Sequence, residues 1–323
     1  MKKIISSILI MTILLFLCIE ILINSTKVMN SVIFSFDIWK SNIFPSLFPF
    51  FVISNLLIHY GFVEFVGELF KPIMQKLFKI KGEASFVFIM SMLSGFPSSA
   101  KYIKELLLNK TLSNEEATKL LMFTHFSNPL FIIGTIGITF LHNKRVGLLI
   151  ILSHYLGNII IGILVRNYHP SFSNTNRISI KNAIIKMNNK RINNKNSLGS
   201  IISKAITDSI NTLLLVLGTI SLFLILSTII NDTFSFSPIT NTIISGLLEM
   251  TQGLKYISLL KISLRLKCAI SCMIISFGGF SVHMQIKSII SETNIAYLPY
   301  FLSRIFHMII SFLLTIILYS FII

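Results

Sequence analysis

Residues 84–108 read ASFVFIMSMLSGFPSSAKYIKELLL, and residues 268–291 read CAISCMIISFGGFSVHMQIKSIIS. Each opens with a 13-residue apolar run, Ala84–Phe96 or Cys268–Phe280, which as helix covers only about 20 Å. That is short of the roughly 30 Å of a bilayer core. Each run meets glycine near its end and continues into an amphipathic stretch of 11 residues, Ser98–Leu108 or Ser281–Ser291. A short apolar arm, a glycine turn and an amphipathic return arm describe a re-entrant helical hairpin. Such breaks are tolerated at membrane depth only where protein or a wet cavity covers them.

The rest of the chain fits a lipid setting. Of 323 residues, 53% are hydrophobic and 12% charged, with a mean hydropathy of +0.80. Soluble domains carry about 25% charged residues. Spanning helices are expected at Ile43–Tyr60, Thr118–Leu141, Val146–Val165, Ile210–Ile230 and Tyr297–Ile323. The apolar stretch Ile4–Ile23 behind Lys2-Lys3 is long enough to span and lacks a small-residue cleavage site, so it reads as a retained first helix. The net charge of +16 sits in loops between apolar runs, which speaks for cytoplasmic loops and against nucleic acid. Cys18, Cys268 and Cys272 lie in apolar runs without metal-site spacing, so they read as packing residues.

The order of elements suggests two halves, each with a spanning helix, a basic amphipathic stretch, a hairpin and further spanning helix. Gly95-Phe96 aligns with Gly279-Phe280, Leu152-Ser153 with Leu302-Ser303, and Ile159-Ile160 with Ile309-Ile310. The loop Arg166–Lys204 carries Arg177, Lys181, Lys186, Lys190, Arg191 and Lys195 and no acid until Asp208, which places it in the cytoplasm. Its asparagine-rich centre reads as a flexible linker. The halves then run in opposite directions, as in many secondary transporters. The expected fold is an all-α polytopic membrane protein with two inverted repeats, each with a re-entrant hairpin and a broken helix. The segments are an N-terminal helix and connector (1–42), a first repeat (43–166), the basic loop (167–204) and a second repeat (205–323). Lys144-Arg145 falls outside, against the charge rule.

Candidate binding residues cluster at the breaks. At the first tip, Gly95 permits the turn, Pro97 starts the return helix, and Ser98 and Ser99 stand at its N-terminus, with Lys101 within one turn. A helix N-terminus held at midplane attracts anions. At the second tip, Gly278 and Gly279 allow close backbone approach, and Ser281, His283 and Gln285 supply polar groups. His125-Phe-Ser-Asn128-Pro129 breaks the span Thr118–Leu141, with Asn128 as a ligand for substrate or ion; Leu298-Pro299 is its expected counterpart, followed by Arg304 and His307. Neither tip nor the Asn128-Pro129 break holds Asp or Glu. Ser113-x-x-Glu116 forms a capping box. Phe62–Ile80 reads as an interfacial helix with Phe62, Val66, Leu69, Ile73 and Leu77 on its apolar face and a bend at Pro72. HExxH, GxSxG, GxGxxG and P-loop patterns are missing, and no enzyme, metal site or cofactor is expected.

With the hairpins stand two further strings, Phe44-Pro45-Ser46-Leu47-Phe48-Pro49-Phe50-Phe51 and Phe126-Ser127-Asn128-Pro129-Leu130-Phe131. These four ordered motifs resemble the YlbJ family, also called SpoVV, of sporulation integral membrane proteins with the nucleoside-recognition or gate domain. The resemblance runs from about Phe44 onward. It implies a fold related to concentrative nucleoside transporters and a role in moving dipicolinic acid from the mother cell across the outer forespore membrane. The ionisable groups near the breaks, Lys101, His125, His283 and Arg304, suit a planar dianion better than a neutral ribose. Ser98, Ser99 and Ser281 would bind carboxylates, and Lys101 or His283 would supply charge in alternating access. A nucleoside or other solute carrier and a non-transporting scaffold are the competing readings. The coupling ion, H⁺ or Na⁺, and a homo-oligomeric state are left open. The partners expected are a small anionic substrate and the lipid bilayer.

Overall fold

The computed structural model describes residues 2–171, 179–194, 196–234 and 236–323; Arg177 and Lys195 of the basic loop lie outside the described residues. Every regular element among the described residues is helical. The chain begins with α1 (Lys2–Ile23) and α2 (Ser25–Ile38), then a π-helical turn, Trp39–Ile43, and α3 (Phe44–His59). From Ser25 to His59 this is one continuous rod, so the span expected to start at Ile43 starts at Ser25. Pro45 explains the widened turn. Its ring would collide with the carbonyl four residues back, and the helix relaxes to Phe44 N–H bonding Trp39 O.

Next come α4 (Phe62–Phe78), α5 (Ala84–Ser94), α6 (Ser98–Leu108) and α7 (Asn114–Phe123). Ser113 caps α7: its Oγ accepts from Glu116 N at 3.2 Å, and Ser113 N donates back to Glu116 Oε2 at 2.8 Å, as the pattern predicted. After a non-helical stretch, 124–128, the chain continues as a π-helix, Phe131–Phe140, so the expected span Thr118–Leu141 is broken at the predicted place. α8 (Lys144–Leu164), α9 (Ile180–Asn193), α10 (Leu198–Thr233), α11 (Pro238–Leu248), α12 (Met250–Leu259), α13 (Leu264–Phe277), α14 (Gly279–Ile290) and α15 (Tyr297–Ile322) complete the fold. Among the described residues, five stretches are long and apolar enough to cross a membrane: 25–59, 144–164, 198–233, 264–290 and 297–322.

The two longest helices form the scaffold. α10 has 36 residues, ~54 Å of helix. It lies antiparallel to the rod 25–59, with Ser31 Oγ at 2.6 Å from Thr228 Oγ1, Ser35 Oγ at 2.7 Å from Ser221 Oγ and Trp39 Nε1 donating to Leu213 O at 2.9 Å. Hydroxyl and indole groups here hold apolar helices together by interhelical hydrogen bonds, where lipid removes the hydrophobic drive.

The second hairpin is not Cys268–Phe280 with Ser281–Ser291. α11 and α12 lie side by side, joined at Glu249 in extended conformation (φ −140°, ψ 115°). α13 packs on α15, α8 and α12, whereas α14 turns toward α10, α6 and α11. Consecutive positive φ angles at Gly278 (90°) and Gly279 (71°) redirect the chain there. The apolar run from Cys268 is too short to span, but the helix starts at Leu264, and together the two helices are long enough. Leu298-Pro299 is no break. Pro299 sits in the first turn of α15, where its missing N–H has no helical acceptor to lose.

The basic loop is not a featureless linker in its middle. α9 packs on α4. Gly61 (φ 79°) lets it approach, since a Cβ there would lie 2.5 Å from Met187 O. Lys186 pairs with Glu68 at 2.6 Å, Lys190 with Glu64 at 3.6 Å, and Asn194 Nδ2 donates to His59 O at 3.2 Å. This docking also rotates the buried face of α4. Val63, Val66, Gly67, Glu68, Met74 and Phe78 are buried, while Ile73 and Leu77 face outward. Gly61→Val should release α9, seen as faster proteolysis within 180–193 in detergent. An unchanged cleavage rate would mean that the Gly61 approach does not hold α9 in place.

Candidate functional site

Glycines bring the chain breaks together. A Cβ on Gly95 would lie 2.5 Å from Asn128 N, so the tip between α5 and α6 rests on the break after α7. Phe96 N donates to Phe126 O at 2.7 Å across the same contact. A Cβ on Gly278 would lie 2.9 Å from His125 Nε2, and one on Gly279 would lie 3.1 Å from Met250 N. The break between α13 and α14 therefore touches both the first break and the tip between α11 and α12. Four irregular points, the tip at Gly95, the stretch 124–128, the join at Glu249 and the break at Gly278-Gly279, therefore meet.

Non-helical backbone in an apolar surround must find partners for its polar groups. The 124–128 stretch finds them on α8 and α15. His125 O accepts from Asn158 Nδ2 at 2.6 Å, Ser127 O from Tyr155 Oη at 3.2 Å, and Ser127 N donates to His154 Nε2 at 3.0 Å. Arg304 Nη2 donates to Met122 O at the C-terminal end of α7. The backbone donor fixes the tautomer of His154: Nε2 accepts, so Nδ1–H donates to Ser276 Oγ at 2.8 Å. His307 Nδ1 accepts from Arg304 Nη1 at 2.9 Å, so its Nε2–H donates to His154 O at 2.9 Å. Arg304 Nη1 also reaches Asn158 Oδ1 at 3.1 Å. This fully buried guanidinium has no carboxylate partner among the described residues and is held by neutral acceptors.

Two cavities are stacked along the same walls. A vestibule of about 630 Å³ is lined by Asn55 of α3, Lys101 and Lys104 of α6, Lys190 of α9, Lys204 and Asp208 of α10, with Glu105 and Ile289 beside them. One to two turns further along α3, α10 and α14 lies a central cavity of about 40 Å³, lined by Ser127, Asn128, Phe96, Glu249, Met250 and Gln285. Phe51 and Leu213, both fully buried, lie at the level between them on α3 and α10. Lys101 Nζ stands 5.6 Å from the centre of the Phe51 ring and has no hydrogen-bond partner. The central cavity holds little more than a water molecule. A solute with a ring enters it only if the tips separate.

The expected binding residues divide between these places. Gly95, Asn128 and Gln285 stand at the central cavity. Asn128 Oδ1 accepts from Leu130 N at 2.8 Å and Phe131 N at 3.2 Å, and its Nδ2 donates to Leu93 O at 3.0 Å, so it caps one break and fastens the other. Gln285 Nε2 donates to Thr219 Oγ1 at 2.9 Å. Ser98 Oγ bonds Gly95 O and Ser94 Oγ within its own tip. Ser99 and Ser281 are buried with hydroxyls that have no partner. Lys101 belongs to the vestibule. His283 lines neither cavity: its Nε2–H donates to Phe277 O at 3.1 Å, and its Nδ1 accepts from Tyr297 Oη at 2.8 Å. Gly278 and Gly279 carry the turn.

The residue missed is Glu249. It is fully buried, at the tip between α11 and α12, on the wall of the central cavity. Its Oε2 accepts from Thr251 N at 2.8 Å and Gln252 N at 3.0 Å, and its Oε1 from Thr251 Oγ1 at 3.1 Å. The join between α11 and α12 holds an acid, unlike the tips at Gly95 and Gly278-Gly279. The signal was present: Pro238 opening an apolar run that ends at Glu249 marks a helix start and a polar stop. Asn128→Asp keeps the cap oxygen but loses the donor to Leu93 O and turns charge toward carbonyls. We expect it to cost about 1–3 kcal/mol in thermal unfolding of the detergent-solubilised protein. An unshifted melting temperature would show that the Nδ2 bonds hold nothing.

Residues 41–144, from the π-turn through the first tip and break, match the Gate family model, described as nucleoside recognition. The chain is 36% identical over 297 aligned residues to the sporulation integral membrane protein YlbJ of Bacillus subtilis (strain 168), an alignment covering 83% of this chain and 72% of that protein. No solved structure matches. With this identity over most of both chains and the gate region on the first tip and break, the protein belongs to the YlbJ family of multi-pass sporulation integral membrane proteins.

Proposed function

We propose that the protein is a carrier that moves dipicolinic acid from the mother cell across the outer forespore membrane by alternating access, with no bond-making step. The observation that carries this reading is the pair of cavities sharing the walls of α3, α10 and α14, a path interrupted at one level by Phe51 and Leu213. The vestibule opens beside α9 of the basic loop, so the charge rule makes it the cytoplasmic mouth. Its lysines would draw in a dianion by long-range attraction.

An inverted-repeat plan supports the same reading. A paired tip (α5/α6), a broken helix (α7 and the π-helix) and a long helix (α8) recur as α11/α12, α13/α14 and α15. The contacts recur as well: α6 packs on α14 and α12 on the π-helix, while α7 packs on α15 and α13 on α8. The aligned pairs Leu152-Ser153 and Leu302-Ser303 fall on α8 and α15, in agreement with this register. The hairpins would then enter from opposite faces and part in alternation.

A second reading rests on Glu249. A carboxylate on the cavity wall can accept from sugar hydroxyls, which favours a nucleoside or another hydroxyl-rich solute. Uptake of radiolabelled dipicolinate into proteoliposomes decides between them. Saturable uptake, resistant to uridine and lost in Gly279→Leu, is expected. Uptake of labelled uridine with none of dipicolinate would establish the second reading. Lys101→Ala should raise the KM for dipicolinate about tenfold, the loss of one charge-assisted contact. His283→Ala should act through stability instead, because its ring is engaged away from both cavities. Equal effects of the two on KM would remove the distinction.

A further inference from the structure

One group of the central cavity is left without a counter-charge. Among the described residues, Glu249 is the sole ionisable side chain lining that cavity. Among the described residues it has no cation within ion-pair distance. On the facing break, His125 Nδ1 meets Tyr300 Oη at 3.0 Å and its Nε2 is buried without a partner, while the charged groups of α10, α12, α13 and α14 are engaged elsewhere. On α10, Asp232 pairs with Lys27, while Lys204 and Asp208 line the vestibule. On α13, Arg265 donates to Ile316 O and Lys267 to Ser258 O. On α14, His283 is held by Tyr297 and Phe277, and Lys287 lies over the Tyr297 ring. On α12 itself, Lys255 lies over the Phe34 ring and Tyr256 accepts from Gln252. α11 and the π-helix contribute no charged residue. The thiols Cys268 and Cys272 on α13 are buried, with Cys272 directed at Ile150 O.

We propose that Glu249 is the proton-coupling site, taking up one H⁺ with each dianionic substrate that enters the central cavity. This rests on the dicarboxylate reading above. In so small a cavity a bound carboxylate lies against the Glu249 wall, and two like charges at contact in a low dielectric cannot both stay ionised. A proton removes the conflict. The two oxygens differ in their readiness to take it. Oε2 is held by two backbone N–H donors that cannot reverse, whereas Oε1 faces the Thr251 hydroxyl, which can turn from donor to acceptor. One proton from water on the vestibule side therefore binds Oε1 as the dianion binds. Both leave on the far side, so one negative charge net crosses per cycle.

The test is binding of labelled dipicolinate to the purified full chain in detergent from about pH 6 to about pH 9. One linked proton makes Kd rise about tenfold per pH unit on the alkaline side. Calorimetry in two buffers of different ionisation enthalpy should count about one proton taken up per dianion. Glu249→Gln keeps an acceptor for the Thr251 and Gln252 amides, and should bind with a Kd independent of pH and no proton uptake. Glu249→Asp should restore the slope. A wild-type Kd that is flat with pH, or zero proton uptake, overturns the proposal without needing any variant. So does a slope that persists in Glu249→Gln, which would pass the role to a histidine or lysine. Saturable binding in any of these cases leaves the dicarboxylate reading standing, whereas no binding at any pH overturns both.

Discussion

Backbone that leaves the helix in a membrane interior has no water to turn to, and the structure is organised around that constraint. The stretch 124–128 exposes carbonyls and amides that helix would have paired. α8 answers with His154, Tyr155 and Asn158, and α15 answers with Arg304. Most of the hydrogen-bonding capacity of these polar groups is spent on holding one break open. Their rigidity gives the facing tips a fixed surface to rest on.

Glycine supplies the other half of the arrangement. Gly95, Gly278 and Gly279 all take positive φ and all stand where a Cβ would meet backbone or a ring within 3.1 Å. Close approach of four irregular points is thus a steric matter as well as a hydrogen-bonding one. The caps differ in kind. Asn128 caps the π-helix with a neutral oxygen, whereas Glu249 caps α12 with a carboxylate. An uncompensated carboxylate and an unpaired guanidinium in one interior set the electrostatics that a charged solute would meet.

The path between the cavities follows from the scaffold. Because the rod 25–59 and α10 run antiparallel for most of their length, their facing residues repeat at successive levels: Asn55 and Asp208 at the vestibule, Phe51 and Leu213 between, Leu47 and Val216 at the centre. Opening the path needs only a shift at the middle level, where the side chains are apolar apart from Lys101. The docked helix α9 narrows the mouth and ties the loop between the halves to α4.

Hydropathy and local chemistry were enough to show a membrane chain, the turn at Gly95, the break at Asn128-Pro129 and the Ser113 cap. Each of these is a short-range property: an apolar length, a missing N–H, a glycine, a capping pair. The second tip was misplaced because periodicity cannot say whether two short helices fold back or run on, and only the neighbours of α13 and α14 decide that. The same limit hid Glu249, whose importance lies in lining one cavity with Asn128 and Gln285 from distant parts of the chain. It also made His283 seem free, when Tyr297 and Phe277 O occupy both its nitrogens. What a helix is made of can be read along the chain. What a break in it faces depends on which other helices come to satisfy its unpaired backbone groups, and those partners are brought by the tertiary fold.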